Sequence, residues 1–80
     1  MDFYSIAEQV RTLRKEQGIS QVQMAEDLQI SRATLSAFEA GRSGDLGLKK
    51  VIAMLDYLGF ELRLREKSPF PTFEELLDAQ

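Results

Sequence analysis

The chain has 80 residues, 44% of them hydrophobic, and carries 13 acidic and 10 basic side chains for a formal net charge of −3. This length allows one small domain with a modest core, and chains of this size commonly gain further stability by self-association. The sequence contains neither cysteine nor histidine, which excludes disulfides and thiolate metal sites and removes the commonest general base. A metal held by carboxylates alone remains an alternative, although no cluster of carboxylates suggests one. Because the sequence also lacks a phosphate loop and a carboxylate pair suited to a cleft, we predict no cofactor, no metal and no enzymatic activity.

The first predicted helix covers about residues 3–17. Asp2 precedes it as an N-cap, and Gly18 follows as a left-handed stop. Its apolar positions recur every three or four residues at Phe3, Ile6, Val10 and Leu13. This spacing predicts an amphipathic helix with one buried face.

Two shorter helices are predicted over about residues 21–28 and 32–40. Ser20 and Ser31 stand at their N-cap positions, and Gly41 ends the second one. Only residues 29–30 separate them, which is a tight turn. Two capped short helices joined in this way form the pattern of a helix-turn-helix.

A fourth helix is predicted over about residues 47–58, after a polar loop. Its apolar stripe and those of the earlier helices point to one shared core. The predicted core positions are Met24, Leu35, Phe38, Leu48, Val51, Ile52 and Leu55.

After Gly59 the apolar spacing changes to every second residue, which predicts a strand over about residues 60–67. A lone strand cannot satisfy its own backbone hydrogen bonds, and the simplest partner is the same strand of a second subunit. Phe60, Leu62 and Leu64 would then form a dimer seam, which we favour over a private edge of the chain's own core, because an unpaired apolar strand invites aggregation.

Residues 68–80 form an acidic tail in which two prolines precede a capping-box pattern. A short helix over residues 72–79, docked or frayed, is one interpretation. The tail is either disordered filler, a docking peptide for a partner protein or a cover for the chain's own surface.

The charge distribution permits DNA binding despite the negative total, because the local charge of the docking face matters more than the net charge. Residues 1–50 hold seven basic and seven acidic side chains, whereas residues 51–80 hold three and six. A neutral DNA-binding module beside an acidic tail is consistent with these counts.

Several side chains in and around the third helix are candidates for DNA contacts. Arg32 lies in its first turn and could reach a guanine edge bidentately, or else remain solvated or bind a phosphate. Gln21, at a helix N-terminus, suits a phosphate, and Arg42 and Ser43 could clamp the backbone. Small residues that allow a close approach to the groove wall are Ser31, Ala33, Ser36 and Ala37.

Two further residues of this helix are not assigned to base contacts. Thr34 could turn inward or toward a phosphate, and we leave its role open. Glu39 would repel a phosphate, so we assign it a structural role, in an ion pair with Arg11 or Arg14 of the first helix.

The frame S-Q-x-x-M-A-x-x-x-x-I-S-x-x-T-L-S-x-F-E-x-G-R, which begins at Ser20, resembles the Cro and lambda-repressor type of helix-turn-helix, the xenobiotic-response-element (XRE) family. The resemblance covers about residues 4–59. It implies that the third helix enters the major groove of DNA and that Gln21 touches the DNA backbone. Ala40 departs from the asparagine that is frequent there, and its side chain cannot bind a phosphate.

The run D-L-G-L-K-K-V-I-A-M-L-D-Y-L-G-F-E-L-R-L-R, residues 45–65, is similar to HipB-like antitoxins. That resemblance implies a strand after the fourth helix that pairs across a dimer. It also implies repression of the chain's own operon and binding of a HipA-like kinase toxin. Gly47 replaces a threonine that is common in this subgroup, which implies a weaker cap for the fourth helix.

We therefore predict an all-α, four-helix, lambda-repressor-like domain with a C-terminal β-strand that pairs across a homodimer. Residues 1–59 would be the DNA-binding domain, 60–67 the dimerisation strand and 68–80 the tail. The expected function is that of an operator-binding repressor and antitoxin. A phage-type Cro-like repressor and a protein-interaction adaptor without specific DNA binding remain alternatives. A cytoplasmic, nucleoid-associated location is expected, because the sequence lacks a signal peptide and any apolar run of about 20 residues.

Overall fold

In a computed structural model that describes residues 2–42 and 46–67, the chain folds into four helices. Helix α1 spans Phe3–Glu16, α2 spans Gln21–Leu28, α3 spans Arg32–Glu39 and α4 spans Leu48–Tyr57. These bounds lie within one residue of those predicted from the spacing of apolar residues and caps. For the residues that the structure describes, the all-helical, four-helix architecture is therefore confirmed.

Polar side chains define where the first three helices begin. Asp2, Ser20 and Ser31 each accept a hydrogen bond from the backbone N–H three residues further on, at 2.8, 3.0 and 3.0 Å. Each bond satisfies a donor that the helix itself leaves unpaired. Helix α4 instead follows Gly47, which makes no side-chain cap.

All four helices end in the same closed turn, in which a backbone N–H bonds back to the carbonyl five residues earlier, over 2.8–3.1 Å. The turn requires one residue in the left-handed region. Glycine fills this position after α1, α3 and α4, whereas Gln29, with φ of 59°, fills it between α2 and α3. This conformation is unfavourable for a residue other than glycine, and Ile30, which follows, packs against the core.

The core lies where α1, α2, α3 and α4 converge. Met24, Leu35, Phe38 and Leu55 are buried as predicted, and Val51 is half-buried. The rings of Phe3 and Phe38 meet edge to face, with centroids 5.5 Å apart. The fully buried side chains of largest volume are Phe38, Met24, Leu35, Met54 and Val10.

Two predicted core positions on α4 are wrong for the single chain. Leu48 is 66% exposed and Ile52 is 47% exposed. The apolar stripe of α4 is wider than the face that the other helices cover. The buried side of the stripe consists of Met54, Leu55 and Leu58. Leu48 and Ile52, one turn apart, lie on its other side and face outward.

Residues 60–67 leave the end of α4 without strand pairing in the single chain, and all of them are exposed. Leu64 is 100% exposed. The predicted pairing with a second subunit therefore stays a prediction.

The predicted tail helix at residues 72–79 lies outside the described residues. In the part of the chain that the structure describes, every helix is too short or too polar to cross a bilayer.

Candidate nucleic-acid interface

Helix α3 presents one buried face and one open face. Leu35, Phe38 and Glu39 are buried, and they attach the helix to α1 and α2. On the open side, Arg32 and Ala33 are exposed, while the half-buried positions are Thr34, Ser36 and Ala37. The open face therefore carries short side chains beside one cation.

Two hydroxyl groups form hydrogen bonds at the N-terminal end of α3. The Ser31 hydroxyl accepts from the Thr34 backbone N–H at 3.0 Å, and the two side-chain oxygens lie 2.8 Å apart in a second hydrogen bond. The role left open for Thr34 is thus at least partly structural, because its hydroxyl pairs with the cap. Arg32 lies between them, exposed and without an ion pair to any other described residue.

A buried ion pair joins α1 to the end of α3. The Arg14 guanidinium donates to both carboxylate oxygens of Glu39, through Nε at 2.7 Å and Nη2 at 2.9 Å. Its Nη1 donates to the Ile19 carbonyl at 2.7 Å. The side chains are only 8% and 2% exposed. A bidentate pair of this kind is rigid and directional, and it selects Arg14 from the two partners predicted for Glu39.

Gln21, the predicted phosphate contact, is attached to this ion pair. Its side-chain amide donates to Glu39 Oε1 at 3.1 Å. One amide N–H is thereby used, and the second has no partner among the described residues. The carboxylate of Glu39, the last residue of α3, therefore also binds Gln21, the first residue of α2. This hydrogen bond links the two helices.

The C-terminal end of α3 carries a second group of candidate residues. Arg42 is exposed immediately after Gly41, while Ser43 lies outside the described residues. Gly41 has φ of 72°, and a Cβ built on it would lie 2.5 Å from Cδ1 of the Tyr4 ring. The start of α1 is therefore packed directly on the turn that leads to Arg42.

Helix α4 is tied to the first two helices by polar contacts that the sequence did not reveal. The Tyr57 hydroxyl donates to Asp27 Oδ2 at 2.6 Å, and Gln17 donates to the Leu58 carbonyl at 2.7 Å. The hydrogen bond to Asp27, with smaller contributions from desolvation and the nearby negative charge, raises the pKa of Tyr57. Thirty residues separate Asp27 from Tyr57, so no local pattern could have paired them.

The exposed apolar side of α4 continues into the segment that follows it. We call this surface the outer groove, and Leu48 lies four residues before Ile52 on the same face of α4. It is lined by Lys49, Ile52, Ala53, Asp56, Phe60, Glu61 and Leu62. Two of the three predicted dimer residues, Phe60 and Leu62, thus share a surface with α4, and Leu64 follows them along the chain.

Within residues 2–42 and 46–67, no group of three or more acidic side chains is placed to hold a metal ion. A family model described as a helix-turn-helix domain matches residues 5–67. That match covers α1 from its third residue onward, the other three helices and the segment that follows them. No significant match was found among curated proteins.

Proposed function

We propose that this chain, which belongs to the helix-turn-helix domain family, is a sequence-specific transcriptional repressor that binds a palindromic operator as a homodimer. The observation that carries the proposal is the open face of α3. Arg32 is exposed at its first turn, beside the small side chains of Ala33, Ser36 and Ala37. Such a face can approach base edges closely, and a guanidinium can bind guanine through two hydrogen bonds.

Contacts to the DNA backbone would flank this face and fix its register. Gln21 keeps one amide N–H for a phosphate and stands at the N-terminus of α2, where backbone N–H groups favour an anion. Arg42 and Ser43 follow the other end of α3. Ser31 and Thr34 would lie near the groove at the first turn. Backbone contacts of this kind position a protein, while the base contacts supply the specificity.

The homodimer is supported by apolar surface that the single chain leaves uncovered. Phe60, Leu62 and Leu64 are exposed and alternate with charged residues. Pairing of residues 60–67 with a second copy would satisfy their backbone groups and cover these side chains. On a palindromic operator, the two copies of α3 in such a dimer would enter successive major grooves about 34 Å apart.

The biological role that we propose is that of an antitoxin which represses its own operon and binds a HipA-like kinase toxin. The support is the resemblance of residues 45–65 to HipB-like antitoxins. A kinase gene beside this one would agree with that role, whereas a phage context would favour a Cro-like repressor.

A binding selection from random duplexes tests the DNA-binding proposal. We expect a dyad-symmetric consensus, and we expect Arg32→Ala to lose preference at one base position per half-site, at a cost of about 1–3 kcal/mol. Arg32→Lys is the matched control, because it keeps the charge but not the bidentate geometry. Equal, salt-labile binding of the wild-type protein to every duplex would reject specific recognition and favour the interaction adaptor.

Analytical ultracentrifugation tests the strand seam. We expect Leu62→Glu and Leu64→Glu to be monomeric, since each places a charge in the paired apolar face. Arg63→Glu, which alters the alternate face of the same segment, should remain dimeric. A full dimer of both leucine variants would show that the seam lies elsewhere.

A further inference from the structure

The proposed dimer requires more than the pairing of residues 60–67. An isolated two-stranded ribbon is only marginally stable in water and needs an apolar surface, such as a helix, to pack against. A stable specific interface also buries about 1,200 Å² or more in total. A neighbouring apolar surface should therefore contribute to the same contact.

The outer groove offers such a surface next to residues 60–67. Leu48 and Ile52, four residues apart on α4, are 66% and 47% exposed, and side chains with that spacing lie on one helix face. Phe60 and Leu62 line the same groove as Ile52. The exposed apolar side chain of Ile52 on α4 therefore shares one surface with two apolar side chains of the segment that would form the ribbon.

We propose that a second copy of this chain occupies the outer groove, so that the face of α4 with Leu48 and Ile52 forms part of the dimer interface. This inference rests on the homodimer of the proposed function. The intermolecular ribbon lies across α4 with its apolar side inward, and Leu64 of the second copy enters the groove beside Ile52.

The register of a symmetric ribbon leads to this placement of Leu64. When Leu62 of each copy lies at the two-fold axis of an antiparallel pair, Leu64 of one copy lies opposite Phe60 of the other. Side chains that lie directly opposite have Cβ atoms about 5 Å apart. Phe60 lines the groove, so the leucine opposite it, which is 100% exposed in the single chain, would be covered there.

The charges around the groove also fit a second copy. A two-fold interface brings one surface against itself, so that surface must be self-complementary. Lys49 lies at the groove together with Asp56 and Glu61. A base and two acids on the same surface allow opposite charges to meet across the two-fold axis, whereas a surface of a single sign would repel its copy.

Sedimentation of full-length Ile52→Glu provides the first test. We expect its dimer dissociation constant to rise at least about 100-fold, because symmetry places the unpaired charge in the interface twice. Val22→Glu is the matched control, since Val22 on α2 is 52% exposed and lies outside the groove. Both variants should keep the wild-type helical circular dichroism, because neither position is buried in the single chain.

The outcomes separate this inference from the proposed function. Monomeric Ile52→Glu beside dimeric Val22→Glu supports the inference. Dimeric Ile52→Glu beside monomeric Leu64→Glu overturns it while the strand seam stands. A wild-type protein that is monomeric throughout overturns both the inference and the homodimer, and DNA recognition is then judged by the binding selection alone.

Cross-linking identifies what occupies the groove. Because the chain has no natural cysteine, single-cysteine variants give one defined link. Mixed Ile52→Cys and Leu64→Cys chains, treated with a short bifunctional thiol reagent, should give a covalent dimer, whereas Val22→Cys mixed with Leu64→Cys should not. An intrachain link in an Ile52→Cys/Phe73→Cys double variant, without the intermolecular product, would assign the groove to the chain's own tail and overturn the inference.

Discussion

Replacement of Arg14 by methionine should strongly destabilise the domain. The change removes both guanidinium hydrogen bonds to Glu39, whose side chain is only 2% exposed. The carboxylate then keeps one neutral donor, from Gln21. Loss of one partner of a buried ion pair typically costs about 3–5 kcal/mol, because a buried charge is left uncompensated. Domains have total stabilities of only about 5–15 kcal/mol, so this is a large share.

The double variant Arg14→Met/Glu39→Leu should recover most of that loss. Replacement of a buried ion pair by apolar side chains of similar volume is often neutral or stabilising. The Gln21 amide loses its acceptor, but Gln21 is half-buried and water can replace that bond. We therefore expect the double variant to lie within about 1–2 kcal/mol of the wild type.

Urea unfolding at one fixed protein concentration measures both effects. The exposed pair of Arg63 and Glu61, with side chains 83% and 68% exposed, supplies the control. Arg63→Met should change the free energy of unfolding by less than about 1 kcal/mol. A loss below about 1 kcal/mol for Arg14→Met, or a double variant no more stable than the single one, would refute the reasoning from burial.

Two other perturbations test the contacts around the helix ends. Gly41→Ala and Gly18→Ala both force a side chain into the left-handed region, at about 1–2 kcal/mol each. Only Gly41→Ala also displaces the Tyr4 ring, so it should unfold at lower urea, and a Tyr4→Ala background should remove the difference. The raised pKa of Tyr57 means that folding favours the neutral hydroxyl. The stabilisation that this hydroxyl gives the folded state is therefore present below the ordinary pKa of 10.0, and it is lost as pH rises through the raised pKa. Thermal unfolding in alkaline buffers should therefore depend less steeply on pH in Tyr57→Phe, and an unchanged dependence would contradict a role for the bond to Asp27.

Local chemistry alone made most of the fold predictable. The caps at Asp2, Ser20 and Ser31 act on N–H groups three residues away. The backbone hydrogen bond that closes the turn at Gly41 joins Arg42 to Ala37, five residues apart. Their effects can be read from sequence because the interacting groups are close in sequence. The four helices were therefore predicted to within one residue at each end.

The candidate site was predictable in type more than in detail. The sequence placed Arg32 and the small residues on α3, and the structure finds Arg32 and Ala33 exposed. It did not reveal that Gln21 is held by Glu39, or that the Ser31 and Thr34 hydroxyls bond each other. These contacts depend on rotamers and on the angle between helices, which residue types do not specify.

By itself, the sequence determined the four helices, their ends and the small open face of α3, because each follows from spacing and from bonds between near neighbours. Only the tertiary structure decided how the helices are rotated against one another. That rotation selects Arg14 over Arg11 as the partner of Glu39 and joins Tyr57 to Asp27. It also turns Leu48 and Ile52 outward. The apolar stripe of α4 is wider than the face that the other helices cover, so some of its side chains must remain exposed. Which ones do depends on packing across the whole domain.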